Sequence, residues 1–464
     1  MTSHPTTGAT AVSTHGETTK QELHALFEAQ QTAFQKNMYP TYEERIQSLE
    51  TFESMLNDCR KDAEEALSQD FYTHPPYLTD LLELNILRDG LRFIRANLKK
   101  WMRSQPMPLN RVISGECKGY VTYQPVGVVG NMAAWNAPFL ISLGPLAYIL
   151  AAGNRAIVKP SELAPACAEV LKEMVSRSFE RDHVAVVTGE VDLAQAYVKL
   201  PWDHLVYTGN PQVGKLVMKA ASENLTPVTL ELGGKCPVII AEDSVNGQTV
   251  SDIILHKTLN NGQVCITADY VFIPEGQQDA FVSLFQQTMP MMMPSYTDNP
   301  ECTGIINDKH FDRLLSYLED AEQKGARLVQ PYVPAEPANR KERKVPFTLV
   351  LNPSDEMEVM KNEIFGPILP VKTYNSIDEA IAYVNSHERP LALYCYSRNK
   401  RLAKDVLGST LSGGACINSI SMHAAQSALP FGGIGNSGMG RYGGFEGFKT
   451  FSNQKSVYEK AASA

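Results

Sequence analysis

Metal-binding patterns are missing from this sequence: its eight cysteines and ten histidines form no CxxC, HxH or HExxH. Such spacings are what a zinc or redox-metal site needs, so no metal is expected. Cys59, Cys117, Cys167, Cys236, Cys265, Cys302, Cys395 and Cys416 are scattered, which suits reduced thiols and a cytoplasmic location. Also missing is any run of about 18 apolar residues, so no membrane span is expected. The N-terminal MTSHPTTGATAVSTHGETTK lacks the charged region and apolar core of a secretory signal and reads as a disordered tail, residues 1–20. Basic runs are scarce: NRKERK, Asn339 to Lys344, stands alone in a proline-rich stretch and reads as a solvated loop. With a net charge of −9, a nucleic-acid partner is not expected. MPMMMP, Met289 to Pro294, reads as a flexible apolar loop rather than a soft-metal site.

What is present is ordinary globular material: 464 residues, 43% hydrophobic and 20% charged, enough for two or three domains. Ile46, Leu49, Phe52 and Leu56, then Leu81, Leu84, Leu87, Leu91 and Ile94, recur at helical spacing, so the first hundred residues should be helical. From GYVTYQPVGVVG onward, short β-branched runs alternate with helical stretches: VGVVG, RAIVKP, VAVVTG, HLVYTG and VTLEL. A second series follows in PVIIAED, DYVFIPE, FTLVLN, PILPVKTYN, LALYCYS and ACINS. This is an α/β pattern of parallel sheets covered by helices, in two domains joined near Glu231 to Lys235.

Five local motifs could carry chemistry. In HLVYTGNPQVGKLV, Gly209, Asn210 and Gly214 form a strand-turn-helix whose amides suit a phosphate. Its spacing is neither GxGxxG nor a phosphate loop, so a plain turn is equally consistent. RAIVKPSELAP ends a strand at Lys159 and reads as starting a helix at Pro160; Lys159 and Glu162 could meet ribose hydroxyls, or serve as a helix cap. Glu231 of VTLELGGK could be a general base or a buried strut. Asn136 of AAWNAP could polarise an oxyanion or simply hold a turn. Cys265 of NNGQVC follows flexible Gly262 at a helix-to-strand junction, where a thiol can be an exposed nucleophile or a packing residue.

Their order is more informative than any one of them. GVVGNMAAWNAP, AIVKPSELAP, VYTGNPQVGK, VTLELGGK, NNGQVC, NEIFGPILP and PFGGIGNSGMGRYGG succeed one another from about Tyr120 to Lys455. The chain thereby resembles the NAD(P)-dependent aldehyde dehydrogenase superfamily, especially its class 3 and coniferyl aldehyde dehydrogenase-like branch. That resemblance implies an aldehyde dehydrogenase-like α/β fold. A Rossmann-like cofactor domain (21–112 and 126–231) and a catalytic domain (232–440) would be joined by a small β oligomerisation element (113–125 and 441–464). It also implies a homodimer, or a tetramer.

By the same resemblance, Cys265 attacks the aldehyde to give a thiohemiacetal, and Asn136 with the Cys265 N–H forms the oxyanion hole. Glu231 then activates the water that hydrolyses the thioester. Cofactor contacts fall on Lys159, Glu162, Gly209, Asn210, Gly214, Trp135, Leu232, Glu363 and Phe365. Glu162 beside the ribose favours NAD, with NADP possible. Three departures bear on substrate: Cys236 for a common serine, Ile266-Thr267-Ala268 after the nucleophile, and Ala137 where class 3 relatives usually carry tyrosine. With Met132, Ile266 and His423 as further pocket candidates, the expected substrate is an aromatic or long apolar aldehyde. Rival readings are a cofactor-free cysteine hydrolase or esterase using Cys265 and Glu231, an acylating enzyme that passes the acyl group to coenzyme A, and a binding protein that retains an enzyme fold.

Overall fold

The computed structural model describes residues 17–114 and 117–460. Helices Lys20–Lys36, Tyr42–Asp58, Arg60–Asp70 and Asn85–Trp101 precede the sheets. Thr19 and Thr41 each start a helix through a capping box, with Glu22 and Glu44 returning the bond to the cap backbone. The first of these helices overlaps the expected tail only at its first residue, Lys20. Leu23, Leu26 and Phe27 anchor it in the core beneath the first sheet, and just ahead of it the Thr18 N–H bonds the Thr188 carbonyl at 2.8 Å, so the end of the expected tail is held to the first domain. The rest of that tail, residues 1–16, lies outside the described residues.

Strands β1 (Gln105–Pro106) and β2 (Cys117–Pro125) lead into the first domain, whose strands are β3 (Val128–Met132), β4 (Arg155–Lys159), β5 (Val184–Val186), β6 (His204–Gly209) and β7 (Val228–Leu232). The second domain contributes β8 (Pro237–Ile240), β9 (Tyr270–Pro274), β10 (Arg327–Val329), β11 (Thr348–Leu351), β12 (Ile368–Tyr374), β13 (Ala392–Tyr396) and β14 (Gly414–Ile417); β15 (Gly438–Met439) and β16 (Ser452–Lys460) follow. The first sheet runs β15-β7-β6-β3-β4-β5 and the second β10-β11-β12-β9-β8-β13-β14. Among the described strands of these two sheets, only β15 and β10 run antiparallel to their neighbours. Parallel strands covered on both faces must be apolar throughout, and Val238, Ile239, Ile240, Val271, Phe272 and Ile273 are all buried.

In the first sheet β3 lies between β4 and β6, so successive crossovers leave it in opposite directions. That reversal opens a crevice at the carboxyl ends of the strands. The chain leaves β7 at Leu232 and enters β8 at Pro237. The carboxyl edge of one sheet thus meets the amino edge of the other.

The small third sheet, β1-β2-β16, aligns Ser452 with Pro125 and Lys460 with Cys117. Two expected boundaries shift. Gly438 pairs with Glu231, returning the end of the expected catalytic segment to the first sheet. A side chain at Gly438 would strike the Leu230 carbonyl, and its φ of 142° excludes most residues. Helix Gly444–Thr450 then buries Phe448 in the first domain's core rather than joining the small sheet.

Two loop expectations also change. Helix Gln278–Met292 runs through Pro290 because Met289 is anchored in the second core. Within NRKERK, Lys344 is buried, its ammonium donating to the Asn299 carbonyl (2.7 Å) and Glu342 (2.7 Å).

Candidate active site

Helix Gly247–Thr258 is followed by a turn in which Asn260 (φ 47°), Asn261 (φ 55°) and Gly262 (φ 74°) are successively left-handed. Asparagine and glycine tolerate that region best. A Cβ at Gly262 would strike the Gly366 backbone. Side-chain amides pin the turn. Asn261 donates to the Thr303 carbonyl (2.7 Å) and accepts from the Tyr296 hydroxyl (2.7 Å). Gln263 donates to Asn260 and Gly304 carbonyls (both 3.0 Å) and accepts from the Ile306 N–H (3.0 Å). The result is a rigid loop, in the connection from helix to strand, that delivers Cys265 five residues ahead of β9.

Half-buried Cys265 donates from Sγ to Glu231 Oε1 at 3.5 Å. Glu231, at the end of β7, is 4% exposed, and its Oε2 accepts from the Tyr442 hydroxyl. Burial holds the Glu231 carboxyl above its ordinary range against the opposing hydrogen bonds from Tyr442 and Cys265. The Cys265 thiol is pushed well up, first by burial and then by the Glu231 and Glu363 carboxylates. The favoured arrangement is therefore a thiol facing a carboxylate, and a reactive thiolate requires the carboxylate to take the proton. Asn136 Nδ2 reaches the Gln263 carbonyl at 3.1 Å, while Asn260 Nδ2 holds the Asn136 carbonyl at 2.8 Å. The three residues thus converge from three segments. Cys236 supports them from below: its Sγ donates to the Cys265 carbonyl at 3.5 Å and accepts from the Ala392 N–H at 3.3 Å.

The crevice beside β3 collects the other candidates. Lys159, 1% exposed at the end of β4, donates to the Pro160 carbonyl (3.2 Å) and Glu162 Oε2 (3.1 Å). Glu162 stands in a turn, not a helix, because the helix starts only at the second proline, Pro165. Asn210 caps helix Pro211–Ser222 by accepting from the Val213 N–H at 2.9 Å. Gly214 packs so closely on Leu232 that a Cβ would lie 2.7 Å from Leu232 Cδ2. Glu363, with burial raising its carboxyl to about 8, lies where a side chain on Gly233 would strike it. Trp135 meets Phe365 edge to face at 5.4 Å. A dinucleotide fits this set. The ammonium and carboxylate at the end of β4 suit ribose hydroxyls, the helix start beside Gly209 suits a phosphate, and the Glu363 carboxylate suits the second ribose.

The aldehyde-pocket candidates scatter more widely. Met132 ends β3 opposite Lys159 and Tyr207, on the crevice side of the cleft. The Ile266 side chain is buried in the second core, and only its carbonyl faces Tyr394 and Ser421. Half-buried Ala137 follows Asn136. His423, bonded to Cys416 at 3.3 Å, lies tilted 6.0 Å from the Phe431 ring, which meets Tyr442 edge to face at 6.1 Å. Sequence reasoning missed Tyr442, Gln263 and Asn260. Among the described residues, no group of three or more His, Cys, Asp or Glu is placed to hold a metal, and no helix is long and apolar enough to cross a membrane.

The chain is 43% identical over 442 residues to a probable coniferyl aldehyde dehydrogenase of Pseudomonas aeruginosa, covering 95% of this chain and 91% of that protein. It is 41% identical over 414 residues to the coniferyl aldehyde dehydrogenase of a Pseudomonas species, covering 89% and 85%. A substrate-bound structure of Staphylococcus aureus AldH superimposes with a TM-score of 0.89 at 33% identity, over 95% and 94% of the chains. An NAD+ complex of a Bacillus cereus aldehyde dehydrogenase gives 0.85 at 25% identity, over 95% and 89%. The model of the aldehyde dehydrogenase family matches residues 2–457, and this chain belongs to that family.

Proposed function

We propose that Cys265, Glu231 and Asn136 carry out the family's oxidation of an aldehyde to the acid with NAD(P). The observation that carries this reading is the Cys265–Glu231 hydrogen bond, with Asn136 tied to the same loop through Gln263. Glu231 takes the thiol proton as Sγ adds to the carbonyl carbon. The Asn136 amide and the Cys265 N–H then hold the oxyanion, being neutral donors already fixed in direction. Lys159, Glu162, the turn at Gly209, Asn210 and Gly214, and Glu363 would hold the dinucleotide, which would supply the acceptor for the hydride that leaves the adduct as it becomes a thioester. Trp135, Leu232 and Phe365 line the apolar side of that crevice. Glu231 releases the thiol proton to solvent, then takes a proton from the water that attacks the thioester and returns it to Cys265 Sγ as the acid departs.

The Glu162 carboxylate disfavours a 2′-phosphate, so NAD is the preferred cofactor. The substrate is an aromatic aldehyde. Two relatives are named for coniferyl aldehyde, and small Ala137 leaves room beside Asn136. A chain of aromatic rings, Tyr442, Phe431 and His423, leads away from Glu231 and suits an aromatic group. A cytoplasmic homodimer built through β2 and β16 completes the reading. The test follows NADH absorbance with aromatic, long aliphatic and semialdehyde substrates, each with NAD and NADP. Loss of all oxidation in Cys265→Ala, with aromatic aldehydes and NAD giving the highest kcat/KM in the parent enzyme, is the expected result. Retained oxidation in that variant refutes the nucleophile, and a higher kcat/KM for long aliphatic aldehydes refutes the substrate class.

A further inference from the structure

Helix Pro138–Ala151 begins two residues after Asn136, and it has no side-chain cap of its own. Its N-cap is Ala137, which lacks a side-chain acceptor, and Pro138 occupies the first turn. The exposed N–H groups of that turn are served instead from a distant segment. Glu83 Oε2 accepts from the Leu140 N–H at 2.7 Å, and the Phe139 N–H bonds the same carboxyl group. Glu83 belongs to the short π-helical stretch Thr79–Leu84 and is 2% exposed. At the other end of the same helix, buried Arg45 donates to the Ala151 carbonyl at 3.1 Å. The N-terminal helices therefore clamp this helix at both termini, with an acceptor at its free N–H groups and a donor at its last carbonyl.

We infer that Glu83 is a positioning residue for the oxyanion donor: by capping the helix from outside, it fixes where the Asn136 amide points. Asn136 sits between two anchors. Asn260 holds its carbonyl from the catalytic loop, and Glu83 holds the helix three and four residues downstream. Without Glu83, the first turn would lose two buried hydrogen bonds and could fray or swing, taking Asn136 with it. A displacement of about 1 Å at such a donor can cost about a hundredfold in rate. Burial also pushes the Glu83 carboxyl up to about 8, so at neutral pH its carbonyl oxygen, rather than a full charge, meets the N–H groups. A glutamine there would present the same acceptor.

This inference rests on the assignment of Asn136 as the oxyanion donor, and a double-mutant cycle separates the two. The readout is the single-turnover NADH burst, with the Kd for NAD measured alongside. Expected are a burst slowed about 10- to 100-fold in Glu83→Leu, an unchanged Kd for NAD, and restoration to within about threefold in Glu83→Gln. In an Asn136→Ala background, Glu83→Leu should cause no further loss, because the group it positions is gone. Losses that multiply across the two sites overturn the inference, as does a glutamine variant as slow as leucine. An unchanged burst in Asn136→Ala alone would instead refute the oxyanion assignment. Should Glu83→Leu fail to fold, Glu83→Asp carries the same cycle, since a carboxyl group one methylene shorter cannot reach both N–H groups.

Discussion

Removing the Tyr442 hydroxyl tests the proton chemistry most directly. In Tyr442→Phe the ring keeps its edge-to-face contact with Phe431, and Glu231 loses the donor to its Oε2. A hydrogen bond to a charged acceptor stabilises it by about 1.5–3 kcal/mol, and about 1.4 kcal/mol corresponds to one pKa unit. The donor favours the ionised carboxylate, so its loss raises the Glu231 pKa further, by about one to two units. Only the ionised form accepts a proton from thiol or water. The acidic limb of the steady-state kcat profile must therefore move to higher pH by that amount, while the plateau rate changes less. The profile belongs to the coupled Cys265–Glu231 pair rather than to one residue, so the comparison is parent against variant under identical conditions. A limb that stays in place or moves to lower pH would refute the claim that Tyr442 sustains the ionised base.

Glu231→Gln should retain a burst of NADH but turn over slowly at steady state, with hydroxylamine accelerating release of the acyl group; unchanged steady turnover sinks the base assignment. Glu162→Gln should improve the kcat/KM ratio of NADP to NAD by about tenfold or more, since one carboxylate facing a phosphate is removed; an unaltered ratio means Glu162 does not meet the ribose. Gly262→Ala forces a side chain at φ 74° against the Gly366 backbone, so it should lower stability by about 1–3 kcal/mol in denaturant titration, and a value near zero contradicts the rigid turn. Iodoacetamide should label Cys265 at a rate nearly flat across neutral pH, because Glu231 takes the proton internally. In Glu231→Gln the rate should climb about tenfold per pH unit, and matching slopes would dissociate thiol from carboxylate.

The parts of this molecule readable from sequence are those where local pattern and tertiary role coincide. Runs such as PVII and YVFIP announce strands buried on both faces because a parallel sheet demands unbroken apolar character. Asn260-Asn261-Gly262 carried its left-handed turn in its residue types. Pro160 misled, since a proline after a strand resembles a helix start, yet the helix waits for Pro165. Tyr442 could not be found locally. It meets Glu231 across 211 residues, and a tyrosine in a glycine-rich stretch signals nothing until β15 pairs with β7. Glu83 was hidden for a similar reason: its partner is a backbone amide 57 residues away.

The same facts explain why the site is assembled from so many segments. Burial and the Glu231 and Glu363 carboxylates push the Cys265 thiol up, while burial raises each carboxyl group, so no single loop could hold them without drifting to a more solvated arrangement. Each group is instead fixed by neighbours it does not react with: Cys265 through Cys236 and Gln263, Asn136 through Asn260, Glu231 through the register of β7 between β6 and β15. A rigid thiol facing a buried carboxylate stays inert toward solvent until a carbonyl carbon arrives to accept the sulfur. The raised pKa of Cys265 is thus compatible with its role as nucleophile, because the proton has a defined destination 3.5 Å away.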